Sequence, residues 1–187
     1  MNQLIEKLDS LKEPILINNI LPISENKNIL NILTNQTKWY FGHEGSYNEK
    51  PLYDVVFSND YPHMGMTLST AENGHKDFND HPLNIYARVI SSIISSQLKF
   101  QYKSINRVYW NYYFKGQGGV GHVDSQTTNN ISVVYNLMDS DGGTEILDKF
   151  YPDIEGQAKI FKSDWWHKGV STKLDKSRLS LNIVYDL

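Results

Sequence analysis

The second half of the chain limits most strongly what it can fold into. Between residues 105 and 187, five runs alternate polar with apolar residues or carry branched and aromatic ones: INRVYWNYYF (105–114), NISVVYNLM (130–138), GGTEILD (142–148), QAKIFKSD (157–164) and RLSLNIVYDL (178–187). Such residues suit the pleated, half-buried surface of a sheet. Helices are expected earlier. Residues 1–12 read as a short amphipathic helix, and Ile15–Asn18 as a strand leading into a turn. Ser24 stands at an N-cap position ahead of Ile29, Leu30, Ile32 and Leu33. Asp80 is the expected cap of the clearest helix, where Leu83, Tyr86, Val89, Ile90, Ile93, Ile94 and Leu98 recur at helical spacing to about Lys99. Strand-like pieces KWYFG (38–42), LYDVVF (52–57) and HMGMTL (63–68) lie between. Helices first and strands later predict an α+β fold, with helices packed on one face of a barrel or sandwich.

At 187 residues without repeats or linkers, the chain is expected to form a single domain. Residues 1–100 would supply N-terminal helices and supporting strands, and residues 101–187 the core barrel strands. The absence of cysteine excludes disulfides, thiolate catalysis and zinc-thiolate sites. A formal charge of -3 gives no general pull towards nucleic acid. No stretch approaches the ~20 apolar residues of a membrane span, so a soluble, intracellular, cytoplasmic protein is expected. Only Arg88, Arg107 and Arg178 among the basic residues are arginine, which makes each placement informative.

The chemistry centres on GQGGVGHVDS (116–125). On a strand or its end, residues i and i+2 face the same way, so His122 and Asp124 can reach one metal together. A two-histidine, one-carboxylate site then needs a second histidine from elsewhere and leaves open positions for iron(II) chemistry. His43, His63, His75, His81 and His167 are the candidates. His167 follows the strand-like AKIFKSDWW and is the only histidine downstream in the β-rich half. Taken alone it reads more readily as a histidine capping a loop beside two tryptophans. Arg178 shifts that balance. It opens the last strand, with Ser180 facing the same side, and its planar fork matches a carboxylate. Asn111 and Tyr113 share one face of the strand before the glycine run, whereas Tyr109 and Tyr112 read as core packing. Gly116, Gly118, Gly119 and Gly121 would let the chain turn sharply, or form a loop without chemistry. The rival pair His75-Lys76-Asp77 lies in a polar stretch ahead of a helix and reads as surface loop.

Asn111-x-Tyr113, His122-x-Asp124, VVYNLMDSDGGTEIL, YPDIEGQAKIF, His167 and Arg178-x-Ser180 stand in an order that resembles the iron(II)- and 2-oxoglutarate-dependent dioxygenases, most of all the prolyl-4-hydroxylase-like branch. The resemblance covers about residues 105–187. It implies a double-stranded β-helix, or jelly roll, with His122, Asp124 and His167 as iron ligands. It also implies that Arg178 and Ser180 hold the distal carboxylate of 2-oxoglutarate, assisted by Tyr113 and Asn111. The implied cofactors are Fe(II), 2-oxoglutarate and O2, with ascorbate as a possible reductant. The implied reaction is hydroxylation of an unactivated C–H bond with release of succinate and CO2. Both histidines must be neutral to bind metal, and each needs an acceptor for its other ring N–H.

Peptide or protein side chains and small metabolites are the expected substrates. Nucleic acid is disfavoured, because Asn182, Ile183 and Val184 follow where repair demethylases carry a second arginine. The loop from His43 to His63, with Tyr47, Tyr53 and Tyr61, is a candidate lid. Trp165 and Trp166 alternate, so one can border the site while the other packs away. Two other readings compete: a cupin-type metalloenzyme, which usually carries H-x-H, and a nonenzymatic jelly-roll binding module.

Overall fold

The computed structural model describes residues 3–35, 40–41, 66–72, 82–174 and 176–187. Three helices occur among them: α1 (Gln3–Leu11), α2 (Ile23–Asn35) and α3 (Leu83–Leu98). The strands are β1 (Ile15–Ile17), β2 (Tyr40–Phe41), β3 (Met66–Glu72), β4 (Ser104–Tyr113), β5 (Asn130–Asn136), β6 (Ser140–Ile146), β7 (Lys149–Asp153), β8 (Ala158–Lys162), β9 (His167–Val170) and β10 (Arg178–Asp186). They form a seven-stranded sheet in the order β1-β8-β5-β10-β4-β3-β2 and a three-stranded sheet in the order β7-β6-β9, antiparallel throughout. Few helices with two antiparallel sheets make an α+β jelly-roll arrangement, as the strand pattern predicts.

Period-two alternation sorts the large sheet into two faces. One cross-strand row is Ile160–Val133–Ile183–Val108, paired across β8, β5, β10 and β4 and fully buried. This face joins one apolar core with Leu8, Ile29, Leu33, Ile90 and Ile94 of the helices. Two phenols fasten it further. Tyr185 donates to Ser91 of α3 at 2.7 Å, and Tyr135 donates to Asn26 of α2 at 2.5 Å. Each bond contributes about 0.5–1.5 kcal/mol and fixes how a helix sits on the sheet.

The neighbouring row faces the other way and is polar. Asn111, Ser180 and Asn136 lie opposite one another on β4, β10 and β5, with Tyr113 opposite Arg178 one step along. This face meets the small sheet. Arg178 donates to Thr144 of β6 at 3.2 Å, and the Phe161 ring lies edge-on to His167 of β9 with centroids 4.8 Å apart.

Several expectations are corrected. α2 begins at Ile23, so Ser24 lies inside its first turn and is no cap. Val89, expected on the apolar stripe of α3, is 42% exposed. α3 starts after Pro82 without a side-chain cap and ends on Lys99 in the left-handed region. Asp80, LYDVVF (52–57) and the candidate lid from His43 to His63 lie outside the described residues. β7 and β9 were not read as strands. β7 arises because Leu147 and Asp148 (φ 49° and 63°) form a two-residue turn, the geometry that matches hairpin twist. No described helix is long and apolar enough to cross a membrane.

Candidate metal centre

β9 begins at His167, and its edge is paired by the loop that follows β4. His122 N–H donates to the His167 carbonyl and His167 N–H donates back, both at 2.9 Å. Residues exchanging both backbone bonds in an antiparallel pair project to the same face. That pairing brings together two histidines far apart in the chain, with ring centroids 4.5 Å apart. Two residues on, the Asp124 N–H donates to the Ser163 carbonyl at 2.9 Å, turning its carboxylate in beneath both rings.

Asp124 Oδ1 lies 3.4 Å from His122 Nε2, and Oδ2 lies 3.4 Å from His167 Nε2. One ligand atom from each of the three residues falls within 4.8 Å of the others. Metal bonds of about 2.1 Å put neighbouring ligand atoms about 3 Å apart, so little adjustment is needed to hold one ion. The histidine tautomers agree. His122 Nδ1 meets the Val120 carbonyl at 2.8 Å, and His167 Nδ1 meets the Trp165 carbonyl at 3.0 Å. A carbonyl can only accept, so each Nδ1 carries a proton, and Nε2, which faces Asp124, is the nitrogen left to bind a metal once the ring is neutral. The three residues therefore fit a metal held by two nitrogens and one oxygen.

The electrostatics differ between the histidines. Burial disfavours the charged form of His122, but its hydrogen bond with Asp124 outweighs this and raises its pKa. At His167 burial wins and the pKa is lowered, with the charge of Asp124 opposing it. Burial would raise the Asp124 pKa, yet the hydrogen bond with His122 and the Arg107 guanidinium hold it well below the usual carboxylate range. Ser132 donates to Asp124 Oδ2 at 2.6 Å and pairs with Ser163 at 2.8 Å.

Of the four glycines before His122, only Gly116 has positive φ, at +80°. Gly121 serves differently: a Cβ there would run into the Trp166 ring, which packs on the backbone. Trp166 is 38% exposed beside the metal loop while Trp165 is buried in the core, so the alternation of the two tryptophans holds.

Arg178 is buried on the inner face as its position on β10 predicts, but it is already engaged. Its Nε donates to Asp153, and its guanidinium lies over the Tyr113 ring at 5.4 Å. The fully buried Lys159 donates to the other oxygen of Asp153 at 2.8 Å. Burial would raise the Asp153 pKa, but the charges of Arg178 and Lys159 outweigh it and hold the acid ionised. Burial raises the Tyr113 pKa, with Arg178 opposing. Ser180 and Asn111 are buried on the same face, opposite each other in register.

Tyr112 packs against the core and Tyr109 is buried, as expected; Tyr109 also has the parity of Asn111 and Tyr113 and lies under the Arg107 guanidinium at 4.7 Å. Arg107, which donates to Asp124 Oδ1 and at 3.2 Å to Asn182, was missed. Its signal was present, since it shares that parity on β4. Lys159 was legible too, as a lysine inside an otherwise apolar strand, where burial demands a partner. The rival His75-Lys76-Asp77 and the histidines at 43, 63 and 81 lie outside the described residues.

The sequence matches no family model and no curated protein. Solved structures are similar in fold. A prolyl-4-hydroxylase from Pseudomonas putida superposes with a TM-score of 0.62 over 98% of this chain and 100% of its own, at 14% identity. The epimerase SnoN of nogalamycin biosynthesis, solved with Fe3+, alpha ketoglutarate and nogalamycin RO, gives 0.64 over 98% and 83%, at 11% identity. A prolyl hydroxylase from Trichoplax adhaerens, in complex with a hypoxia inducible factor peptide fragment, gives 0.63 over 97% and 86%, at 15% identity. The chain thus shares the jelly-roll fold of these two prolyl hydroxylases and this epimerase.

Proposed function

We propose that the chain is an iron(II)- and 2-oxoglutarate-dependent oxygenase that hydroxylates an unactivated C–H bond of a peptide side chain or small metabolite. The observation that carries this reading is the convergence of His122 Nε2, His167 Nε2 and the Asp124 carboxylate, with both histidine tautomers fixed for ligation. Iron bound there, with 2-oxoglutarate and O2, supplies oxidative decarboxylation to succinate and CO2 coupled to hydroxylation.

The protein's residues bind and orient. His122, Asp124 and His167 would take one face of the ion and leave the rest to cosubstrate and oxygen. Arg178, with Ser180, Tyr113 and Asn111, would hold the distal carboxylate. Ser132 and Arg107 keep the Asp124 carboxylate ionised and directed. Val120, Val123 and Trp166, each partly exposed beside His122, offer substrate an apolar approach. The fold likeness to prolyl hydroxylases and to SnoN supports both substrate classes.

The test is anaerobic titration with iron(II) and then 2-oxoglutarate, followed by oxygen and a succinate assay. A weak visible charge-transfer band that needs both additions, and succinate after oxygen, is expected. Protein that binds neither and forms no succinate is a nonenzymatic module, and the proposal falls.

A further inference from the structure

We infer that Asn136 is a further cosubstrate-contact residue, whose side-chain amide hydrogen-bonds the distal carboxylate of the dicarboxylate that Arg178 is proposed to hold; the inference rests on that reading of the site. Asn136 ends β5 and is fully buried, yet among the described residues neither its Nδ2 nor its Oδ1 has a hydrogen-bond partner. An amide shut away from water with both polar atoms unsatisfied is costly, and each such group in a folded chain calls for a cause. Its direction supplies one. Asn136 lies opposite Ser180 in the β5–β10 register, and directly paired residues share a face. Ser180 in turn shares its face with Arg178, two residues before it. The unsatisfied amide therefore opens onto the polar face that carries the buried guanidinium.

The charges there point to the same ligand independently. Arg178 and Lys159 are both buried cations, and Asp153 is the one acid they share. Among the described residues the cluster carries a formal charge of one positive unit, shut away from solvent, which a bound carboxylate would balance. Asp153 and Thr144 occupy the Nε and Nη2 positions of Arg178, while Nη1, on the side of Gly169, makes no hydrogen bond to the described residues. A carboxylate has about four acceptor positions, so one guanidinium nitrogen leaves room for an amide N–H donor. Asn136 supplies such a donor. Lys159 acts as a positioning residue: it holds the second oxygen of Asp153 and so fixes the edge that Arg178 presents.

The experiment is calorimetric binding to the full chain loaded with manganese(II), comparing 2-oxoglutarate with 2-oxopentanoate, which has the same carbon chain without the distal carboxylate. Wild type should prefer 2-oxoglutarate. Asn136→Leu should weaken 2-oxoglutarate about tenfold, the effect of one lost hydrogen bond to a charged group, and leave 2-oxopentanoate unchanged. Without ligand it should melt no lower than wild type, because it removes two unsatisfied polar atoms. If Asn136→Leu does not fold, Asn136→Asp carries the test, its added charge repelling the carboxylate and weakening 2-oxoglutarate more than tenfold. Wild-type affinity for 2-oxoglutarate in either folded variant overturns the inference. Arg178→Met separates the two levels. If it erases the preference while Asn136→Leu keeps it, the role of Asn136 alone is wrong; if it keeps the preference, the proposed cosubstrate site fails as well.

Discussion

Two buried acids organise opposite ends of the polar face, and their surroundings differ. Asp124 is held by Arg107 and Ser132 and looks onto two histidines, one with a side chain 43% exposed. Asp153 is held by Arg178 and Lys159, and all three are shut away from solvent. Both acids are kept ionised against burial by their neighbours, Asp124 by the hydrogen bond with His122 and the charge of Arg107, Asp153 by the charges of Arg178 and Lys159. Only the first faces imidazole nitrogens that can give up their protons to a metal, with a path to solvent through the exposed His122, so it is equipped to take up an ion. The second is closed by fixed charges and presents a preset positive surface. The contrast shows that acidity does not mark a metal site; what matters is whether the neighbours of the carboxylate are ligands or counter-ions.

The strongest way to break this contrast is Asp124→Ala. It should abolish metal binding at micromolar metal while the far-ultraviolet circular dichroism stays native; full metal content in the variant would show that the two histidines suffice. Asp153→Ala is next. It leaves two buried cations unpaired and should cost about 3–5 kcal/mol of stability in urea unfolding, more than Asp124→Ala, whose partner Arg107 is partly exposed. A loss below about 1 kcal/mol would mean that water reaches the cluster.

Ser132→Ala should weaken metal binding about tenfold, in the range seen when a residue orienting a ligand is removed, with little change in the melting temperature. An unchanged affinity would show that Asp124 needs no orienting hydroxyl. The acid limb of stability sharpens the comparison further. Because the folded-state pKa of Asp153 is lowered from 3.8, its ion pairs contribute fully above the unfolded value and fade as pH falls below about 4. Asp153→Asn should therefore flatten the stability loss between about pH 5 and pH 2. An unaltered slope would move the acid sensitivity to another carboxylate. Smallest is Ser24→Ala. As a residue within α2 and not its cap, it should change stability by under about 0.5 kcal/mol, where a true cap loses about 1.

Much of this is legible in the sequence. Period-two alternation sets Asn111 with Tyr113 on one side of β4 and Arg178 with Ser180 on one side of β10, and the register then brings the two pairs onto one face. The same rule gives Tyr109 the parity of Asn111 and Tyr113, so its buried ring lies on the polar face under Arg107. Ser24 and Val89 were misread, since a local pattern cannot say which side the tertiary core will approach. β7 and β9 escaped because a strand held by pairing partners needs little propensity of its own.

The alternation of side chains, the His122-x-Asp124 spacing and the absence of cysteine follow from the sequence alone, because they depend on covalent geometry and residue chemistry over a few positions. The meeting of His122 with His167, of Arg107 with Asp124, and of Arg178 and Lys159 with Asp153 was decided by the tertiary structure. Those contacts join residues on different strands, and only sheet register and the packing of two sheets fix which side chains share a space with little water. The unsatisfied amide of Asn136 belongs to that second group: its residue type was plain in the sequence, but its isolation exists only once the fold has removed water from around it.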